Sequence, residues 1–276
     1  MNVRRSRQAL ALCVGILAVS LLAACSSHGT SANTVQSSTL QKVIRGGTLN
    51  IASCLSFAPF GEVDSSGKAE GYDVDVATAM ATALGVKVHV IDTTSADRIP
   101  NLLTGKVDAV VCNFTITSQR ATQIAFSNPY VVAGETLLSK KSAGSTSLAQ
   151  LSGKTVAVTK GSTDGAAVQT VNPQVKIQQY DTSAAAVLAV KQGQADAMVE
   201  DSNFLAYQAK LDPTLQVTNT SVVPLEYNGI GVRAGDPTWL QWINTWLLDF
   251  NTSGKNKSLY EKWFGIAPAF PVNPSY

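Results

Sequence analysis

From Gly47 onward, hydrophobic and polar positions switch between two periods, and the switching predicts strands and helices in turn. "TLNIAS" (48–53) is a short β-type run. "GYDVDVATAMATALG" (71–85) has helical spacing through Val74, Ala77, Met80, Ala81 and Leu84, with Gly85 where a helix stop belongs. "VKVHVID" (86–92) alternates as a strand, "ADRIPNLLTG" (96–105) is a short helical segment, and "VDAVVCNF" (107–114) is a buried strand. The pattern then restarts. "KTVAVTK" (154–160), "VKIQQYD" (175–181) and "ADAMVED" (195–201) read as strands, separated by helical "GSTDGAAVQTV" (161–171) and "TSAAAVLAVKQG" (182–193). Strands alternating with helices imply an α/β fold with parallel strands and crossovers.

"TGKVDAVV" (104–111) and "QGQADAMV" (192–199) echo each other at a distance of 88 residues. In both, a helix ends at Gly and Asp-Ala opens a buried strand. The matching element order around the echo predicts two similarly built lobes. Extended pieces follow each half, "AGETLLSK" (133–140) and "PLEYNGIGVR" (224–233). The tail then turns helical, with Trp239, Trp242, Trp246 and Leu247 at helical spacing, a stripe that reads as core. A tail packing back on the first lobe requires two crossings between lobes. Those crossings make a hinge, and the cleft beside it is the expected ligand site.

The start of the chain is a different kind of segment. Arg4, Arg5 and Arg7 precede an apolar run of 16 residues (9–24), shorter than the roughly 20 residues of a membrane span. It suits a secretory signal. "LLAAC" resembles the lipobox of bacterial lipoproteins and makes Cys25 the expected lipidation site. The Ser/Thr/Asn-rich stretch after it reads as a tether, taken to run over 25–46. Removing the three leader arginines from 21 basic residues leaves 18 against 19 acidic ones, a balance that points to no nucleic-acid partner.

Catalytic signatures are sparse. The histidines are His28, in the tether, and His89, in an alternating strand, so no Ser-His-Asp or Cys-His arrangement and no His-rich metal site can be built. No cofactor is expected. "KGSTDG" (160–165) lacks the Lys-Ser/Thr of a P-loop, yet a Gly-Ser-Thr turn entering a helix offers N–H groups to an anion; capping of that helix by Ser162 is the alternative. Ligands of parallel α/β sheets bind at the carboxyl ends of strands. "CNFTITSQR" follows such an end in the first lobe and "EDS" (200–202) in the second. Arg120 and the hydroxyls would then line one wall of the cleft, with Asp201 and the "GST" turn on the other. A guanidinium fork for a carboxylate and an aspartate for an ammonium together suit an α-amino acid zwitterion.

The ordered set "APF" (58–60), "GYDVDVA" (71–77), "DRIPNLLTGKVDAV" (97–110), "NFTITSQR" (113–120), "FSNPY" (126–130), "VTKGSTDG" (158–165), "GQADAMVED" (193–201) and "YEKWFG" (260–265) resembles the polar-amino-acid family of extracellular solute-binding proteins that serve ABC importers. The resemblance spans residues 47–266. It implies a two-lobed, type II periplasmic-binding-protein fold, the "Venus flytrap" with two hinge strands. Residues 47–132 with 229–276 would form lobe 1, and 133–228 lobe 2.

The resemblance also implies roles. Arg120 grips the ligand α-carboxylate, Asn113 and Thr115 share the zwitterion, Ser162 and Thr163 at the helix start add donors, Asp201 takes the α-ammonium, and Phe57 packs over the ligand. Arg98 of "RIP" would reach an acidic side chain, pointing to glutamate or aspartate, although Asp97 departs from the Asn usual before it. Cys54 and Cys112 stand where other residues are usual. In the family's sheet order their strands are neighbours, so a Cys54–Cys112 disulfide beside the ligand is expected, with two free thiols as the alternative. The implied partners are a free amino acid, a membrane permease with a cytoplasmic ATPase, and the membrane through the lipid anchor alone. The protein would be an extracytoplasmic monomer without enzymatic activity. Two rivals use the same scaffold: a prephenate or arogenate dehydratase, for which Glu200 is the nearby acid, and a ligand-sensing module for signalling.

Overall fold

In a computed structural model the chain is described over residues 38–218, 221–269 and 272. The leader, Cys25 and most of the tether lie outside the described residues. In the first half, β1 (Thr48–Ser53) runs parallel to β4 (Lys87–Asp92) on one side and β5 (Ala109–Thr115) on the other. In the second, β7 (Thr155–Thr159) lies between β8 (Lys176–Tyr180) and β9 (Ala197–Asp201), again parallel. Every residue of β5 and β9 is buried, as expected for parallel strands covered on both faces. The covering helices include α2 (Tyr72–Leu84) and α3 (Arg98–Leu103) in the first half. In the second they are α5 (Asp164–Val171), α6 (Ser183–Gln192) and α7 (Ser202–Leu211).

The 88-residue echo is structural. Asp108, which precedes β5, accepts the Asn50 N–H of β1 at 2.9 Å and returns its own N–H to Asn50 O at 2.8 Å. Asp196, before β9, does the same with Thr155 of β7, at 2.8 Å in both directions. In each copy the aspartate satisfies an N–H near the start of the neighbouring strand and sets the register of the pair.

Two long antiparallel strands join the halves: β6 (Ile124–Lys140) and β11 (Val223–Arg233). The far end of β11 pairs with β5 through Gly229 and Gly231, while the far end of β6 pairs with β9 from Glu135 to Ser139. The sheet therefore runs β4-β1-β5-β11-β6-β9-β7-β8 through both lobes, with β10 (Leu215–Val217) on β6. The pairing of β6 and β11 shifts register around Val223–Glu226 and Asn228–Gly231. At that crossing a Cβ on Gly134 would meet Pro224 O at 2.4 Å, so only glycine permits the approach. A small hairpin of β2 (Glu62–Val63) and β3 (Ala69–Glu70) precedes α2.

The tail packs on the first half as α8 (Pro237–Thr252) and α9 (Lys255–Phe264). Trp239 is buried and donates its indole N–H to Asp108 O at 3.0 Å, and its ring stacks on Trp242 at 5.4 Å. The Trp stripe is core. One expectation changes: residues 39–46, read as part of the tether, form helix α1 (Thr39–Gly46). Its Val43 is buried, and Asp236 accepts both the Ser38 hydroxyl at 2.9 Å and the Thr39 N–H at 2.6 Å. Those bonds dock the helix to the start of α8, so the folded body begins before Gly47. Leu40, Val43 and Ile44 have helical spacing, but the run is only eight residues long and follows a Ser/Thr-rich stretch, so from the sequence it merges with the tether.

Candidate functional site

The polar exit from β5 is held by buried groups behind it. Asn113 adopts φ +39°, a region non-glycine residues rarely visit. Its N–H donates to Asp73 Oδ2 at 2.9 Å and to the Tyr130 hydroxyl at 3.1 Å, and that hydroxyl donates to Asp73 Oδ1 at 2.7 Å. Asp73 sits in the first turn of α2 and is pushed up to about 7 by burial. The constraint turns the Asn113 side chain into the cleft, where its amide donates to Asp201 Oδ2 at the end of β9.

Past Thr115, Ile116 and Thr117 lead into α4 (Ser118–Ala121), capped by the Thr117 hydroxyl on the Arg120 N–H. Arg120 donates from Nη1 to Thr115 O at 2.7 Å and from Nη2 to Gly161 O, in the opposite lobe, at 2.9 Å. Burial lowers its pKa. Arg98, at the start of α3, is more deeply set. It donates to the carbonyls of Ser95 at 2.9 Å, Cys112 at 3.1 Å, Asn113 at 3.2 Å and Gly161 at 3.1 Å. Four of its five N–H donors are thus engaged by backbone, and burial followed by repulsion from Arg120 lowers its pKa to about 9. Both guanidinium groups lie over the Phe114 ring, at 4.3 and 5.1 Å.

Across the cleft, Gly161 stands at φ +82°, and a Cβ there would meet Ala96 Cα at 2.6 Å. The close interlobe approach demands glycine. Ser162 donates to Thr159 O and to Asp164 Oδ2, both at 2.6 Å. It is not the cap of α5, whose N-cap position is Thr163, with no side-chain capping bond. Thr163 donates instead to Glu226 at 3.3 Å. Glu200 accepts the hydroxyls of Thr159 and Ser183, each at 2.9 Å. Phe57 stacks on Phe204 of α7 at 4.3 Å, and Gln208 donates to Ala58 O at 3.1 Å, so these contacts also join the lobes. Cys54 and Cys112 are disulfide-bonded with a Cα–Cα distance of 5.2 Å.

Phe57, Arg98, Asn113, Thr115, Ser162, Thr163 and Asp201 line one interlobe cavity together with Cys54, Cys112, Asp164 and Glu200, and Arg120 adjoins it through Thr115. With the lobes in direct contact the cavity holds about 20 Å³, room for one water. A larger cavity of about 350 Å³ lies behind β6 at Tyr72, Tyr130, Asn256 and Tyr260. Its polar atoms are bonded to one another: Tyr72 to Asn256 at 2.5 Å, and Asn256 to Tyr130 O at 2.7 Å. The interlobe cavity carries the charge chemistry.

That chemistry is richer in acid than the sequence suggested. Glu135 on β6 and Glu226 on β11 stand at the crossing, and reading by motif missed both. The signal was a glutamate inside each extended piece with no other charge beside it, "AGETLLS" (133–139) and "PLEYNG" (224–229). Burial, then repulsion from Glu226 and Asp201, pushes Glu135 up to about 9. Burial and the Glu200 charge raise Asp201 and Asp164 well above the usual carboxylate range, and burial raises Glu200 and Glu226. Among the described residues, no group of His, Cys, Asp and Glu has the arrangement to hold a metal ion.

The sequence profile of the bacterial extracellular solute-binding proteins, family 3, matches residues 49–266. The chain belongs to that family. A relative from Bacillus subtilis (strain 168), the ABC transporter glutamine-binding protein, is 33% identical over 264 residues, covering 93% of this chain and 96% of its own. Two solved structures are similar. One is the ancestral amino acid-binding protein AncCDT-1, a precursor of cyclohexadienyl dehydratase, with 39% identity, TM-score 0.78, and coverage of 82% of this chain and 100% of its own. The other is an ancestral arginine-binding protein bound to arginine, with 37% identity, TM-score 0.74, and coverage of 79% and 99%. As a family 3 solute-binding protein the chain has the two-lobed type II fold, and its two extended crossings are the strands between the lobes.

Proposed function

We propose that this solute-binding protein is the extracytoplasmic receptor of an amino-acid ABC importer, binding a polar amino acid between its lobes and delivering it to a membrane permease with a cytoplasmic ATPase. The lobes are taken as residues 47–132 with 229–276, and 133–228, in a monomer tethered through lipid on Cys25. The observation that carries the reading is the pairing of charges across one cavity: the Arg120 guanidinium on one wall, in reach of Gly161 O, and the buried Asp201 carboxyl on the other. Arg120, Thr115 and the Thr163 turn take the α-carboxylate, Asp201 and Asn113 the α-ammonium, and Phe57 covers the ligand. The ligand favours the closed form only through contacts absent from the open one, which the two-walled arrangement supplies.

An acidic ligand side chain would rest on Arg98. With four of its donors on carbonyls, Arg98 braces the backbone of Asn113 and Cys112 instead. Glu135, Asp164, Glu200, Asp201 and Glu226 crowd the site, each with its pKa raised, so an added anion is disfavoured while an added cation would favour their ionised forms. That surplus of acids supports a neutral polar or cationic side chain, as in the relatives named for glutamine and arginine. Glu200, the acid a dehydratase would need, has its carboxylate occupied by the Thr159 and Ser183 hydroxyls.

A thermal-shift panel of the common L-amino acids tests the reading. A ligand at 100 times its dissociation constant adds about 2.7 kcal/mol of stability. The expected winners are neutral polar or basic, and Arg120→Ala abolishes every shift. Largest shifts from glutamate and aspartate would reinstate the acidic reading, and a normal shift in Arg120→Ala would remove the site assignment.

A further inference from the structure

Three groups assigned to the ligand carboxylate converge on one side chain outside that assignment. Glu226 lies on β11 opposite Ala133 of β6, at the crossing between the lobes. Its Oε2 accepts the Thr163 hydroxyl at 3.3 Å. On β5, Thr115 pairs with Asn228, two residues along β11 from Glu226, and the nearby Arg120 charge favours the ionised form of Glu226. Reciprocally, Glu226 is the carboxylate that most favours the Arg120 charge. Arg120, Thr115 and Thr163 are contributed by α4, the end of β5 and the start of α5, and each was assigned from its own place in the sequence. Their meeting at a glutamate of the connecting strand was not part of that assignment.

We propose that Glu226 is a built-in competitor for the ligand's α-carboxylate, its own carboxylate bonded to the Thr163 hydroxyl and set beside the Arg120 guanidinium. The inference rests on the amino-acid-receptor reading. A carboxylate fixed to the strand is present at a high effective concentration, so a ligand carboxylate must compete with it for the Thr163 hydroxyl and the Arg120 charge. Apparent affinity then falls by the fraction of protein in which the subsite is free. The direction of displacement follows from the neighbours. Inward stands Glu135, fully buried and already paired with Glu226, and beyond it Asp201. Pressing an ionised Glu226 further into this carboxyl cluster in a dry site is unfavourable. Glu226 is only part-buried, and outward it reaches solvent.

The test is calorimetry on the purified protein with L-glutamine, L-arginine and their α-carboxamides, which keep the ammonium and side chain but lose the carboxylate. Glu226→Ala should tighten binding of the preferred amino acid at least fivefold, and Glu226→Gln, which keeps the shape without the charge, should move the same way. Both gains should vanish for the α-carboxamide and in the Arg120→Ala background. Unchanged or weaker binding in both variants, or an equal gain for the α-carboxamide, would overturn the proposal. Weaker binding would mean that Glu226 orients Arg120 for the ligand. The underlying reading fails separately, by wild-type protein binding neither amino acid or by Arg120→Ala binding as well as wild type.

Discussion

Asn113 donates its side-chain amide to Asp201, the residue at the equivalent place 88 positions later in the internal repeat. Asn113 stands near the carboxyl end of the buried strand β5 and Asp201 at the carboxyl end of β9, so two copies of one unit meet tip to tip. The bond exists because both strands turn a side chain near their carboxyl ends into the same cleft, the place where parallel α/β sheets offer ligand groups. It also explains how a repeat of modest sequence similarity becomes a site with unlike halves. One copy ends in an amide and the other in a carboxylate.

Asp201→Asn removes the charge that pairs with a ligand ammonium while keeping the shape. A hydrogen bond to a charged group contributes about 1.5–3 kcal/mol, so affinity should fall roughly 10- to 100-fold. The pH dependence has a definite sign. Burial and the Glu200 charge raise the Asp201 pKa, and an ammonium beside it lowers that pKa again, so binding releases protons and affinity rises with pH. Calorimetry in buffers of different ionisation enthalpy measures the release. Asp201→Asn should lose this component, and equal proton release in both proteins would contradict the assignment.

Arg98 and Arg120 should separate cleanly. Arg98→Ala takes the arginine donor from the buried carbonyls of Cys112 and Asn113, each costing about 1–3 kcal/mol. Denaturant unfolding should show a loss of several kcal/mol. Arg120 is part-buried, with two carbonyl bonds, so Arg120→Ala should cost little stability and most of the binding. Near-native stability in Arg98→Ala would show that this arginine is not a brace.

Much of this arrangement was legible in the sequence, for identifiable reasons. Strand and helix periods switch wherever one face is buried, and the Gly-Asp-Ala echo marks a repeated corner whose aspartates prove to cap neighbouring strands. Arg120, Asp201 and the "GST" turn could be placed because parallel sheets present ligands at strand ends. Arg98 resisted, because its partners are carbonyls and carbonyls leave no trace in residue identity. Glu135 and Glu226 resisted for another reason. They sit on strands that change lobes, where alternation no longer says which side faces the cleft. Helix α1 is held by the two oxygens of Asp236, a contact across 197 residues that no local pattern reports.

The Cys54–Cys112 bridge joins residues 58 apart, from just past the end of β1 to the middle of the adjacent parallel β5. In the chain-entropy model, closing a loop of that length disfavours the unfolded state by ~4 kcal/mol. Reduction, or Cys112→Ser, should therefore lower the unfolding midpoint and loosen the wall that holds Asn113. Peptide mapping of unreduced protein after thiol alkylation should find neither cysteine labelled. Full labelling of both would show that the bridge does not form.

Glu135 should make the protein less stable as pH rises. Its unfolded value is that of an ordinary glutamate, 4.5, and its folded value is raised to about 9 by burial and by the neighbouring Glu226 and Asp201 charges. The folded state thus binds the proton more tightly. The contribution is fully present below about pH 4, declines once the unfolded chain begins to lose its proton, and is gone above about pH 9. Asp73, raised from 3.8 to about 7, adds a decline that ends near neutrality. Between pH 7 and 9 Glu135 shares the slope with the raised Asp164 and Asp201, and the difference between wild type and a Glu135 variant isolates its part. Glu135→Gln removes the buried titratable group at nearly constant volume, and it should flatten the midpoint-versus-pH curve over that interval. The variant should be more stable than wild type at pH 9, each kcal/mol recovered appearing as about 2–4 °C in the midpoint. Parallel curves for the two proteins from pH 7 to 9 would show that Glu135 is ionised in the folded state at neutral pH, and that the pair it forms with Glu226 at the crossing carries two charges instead of one.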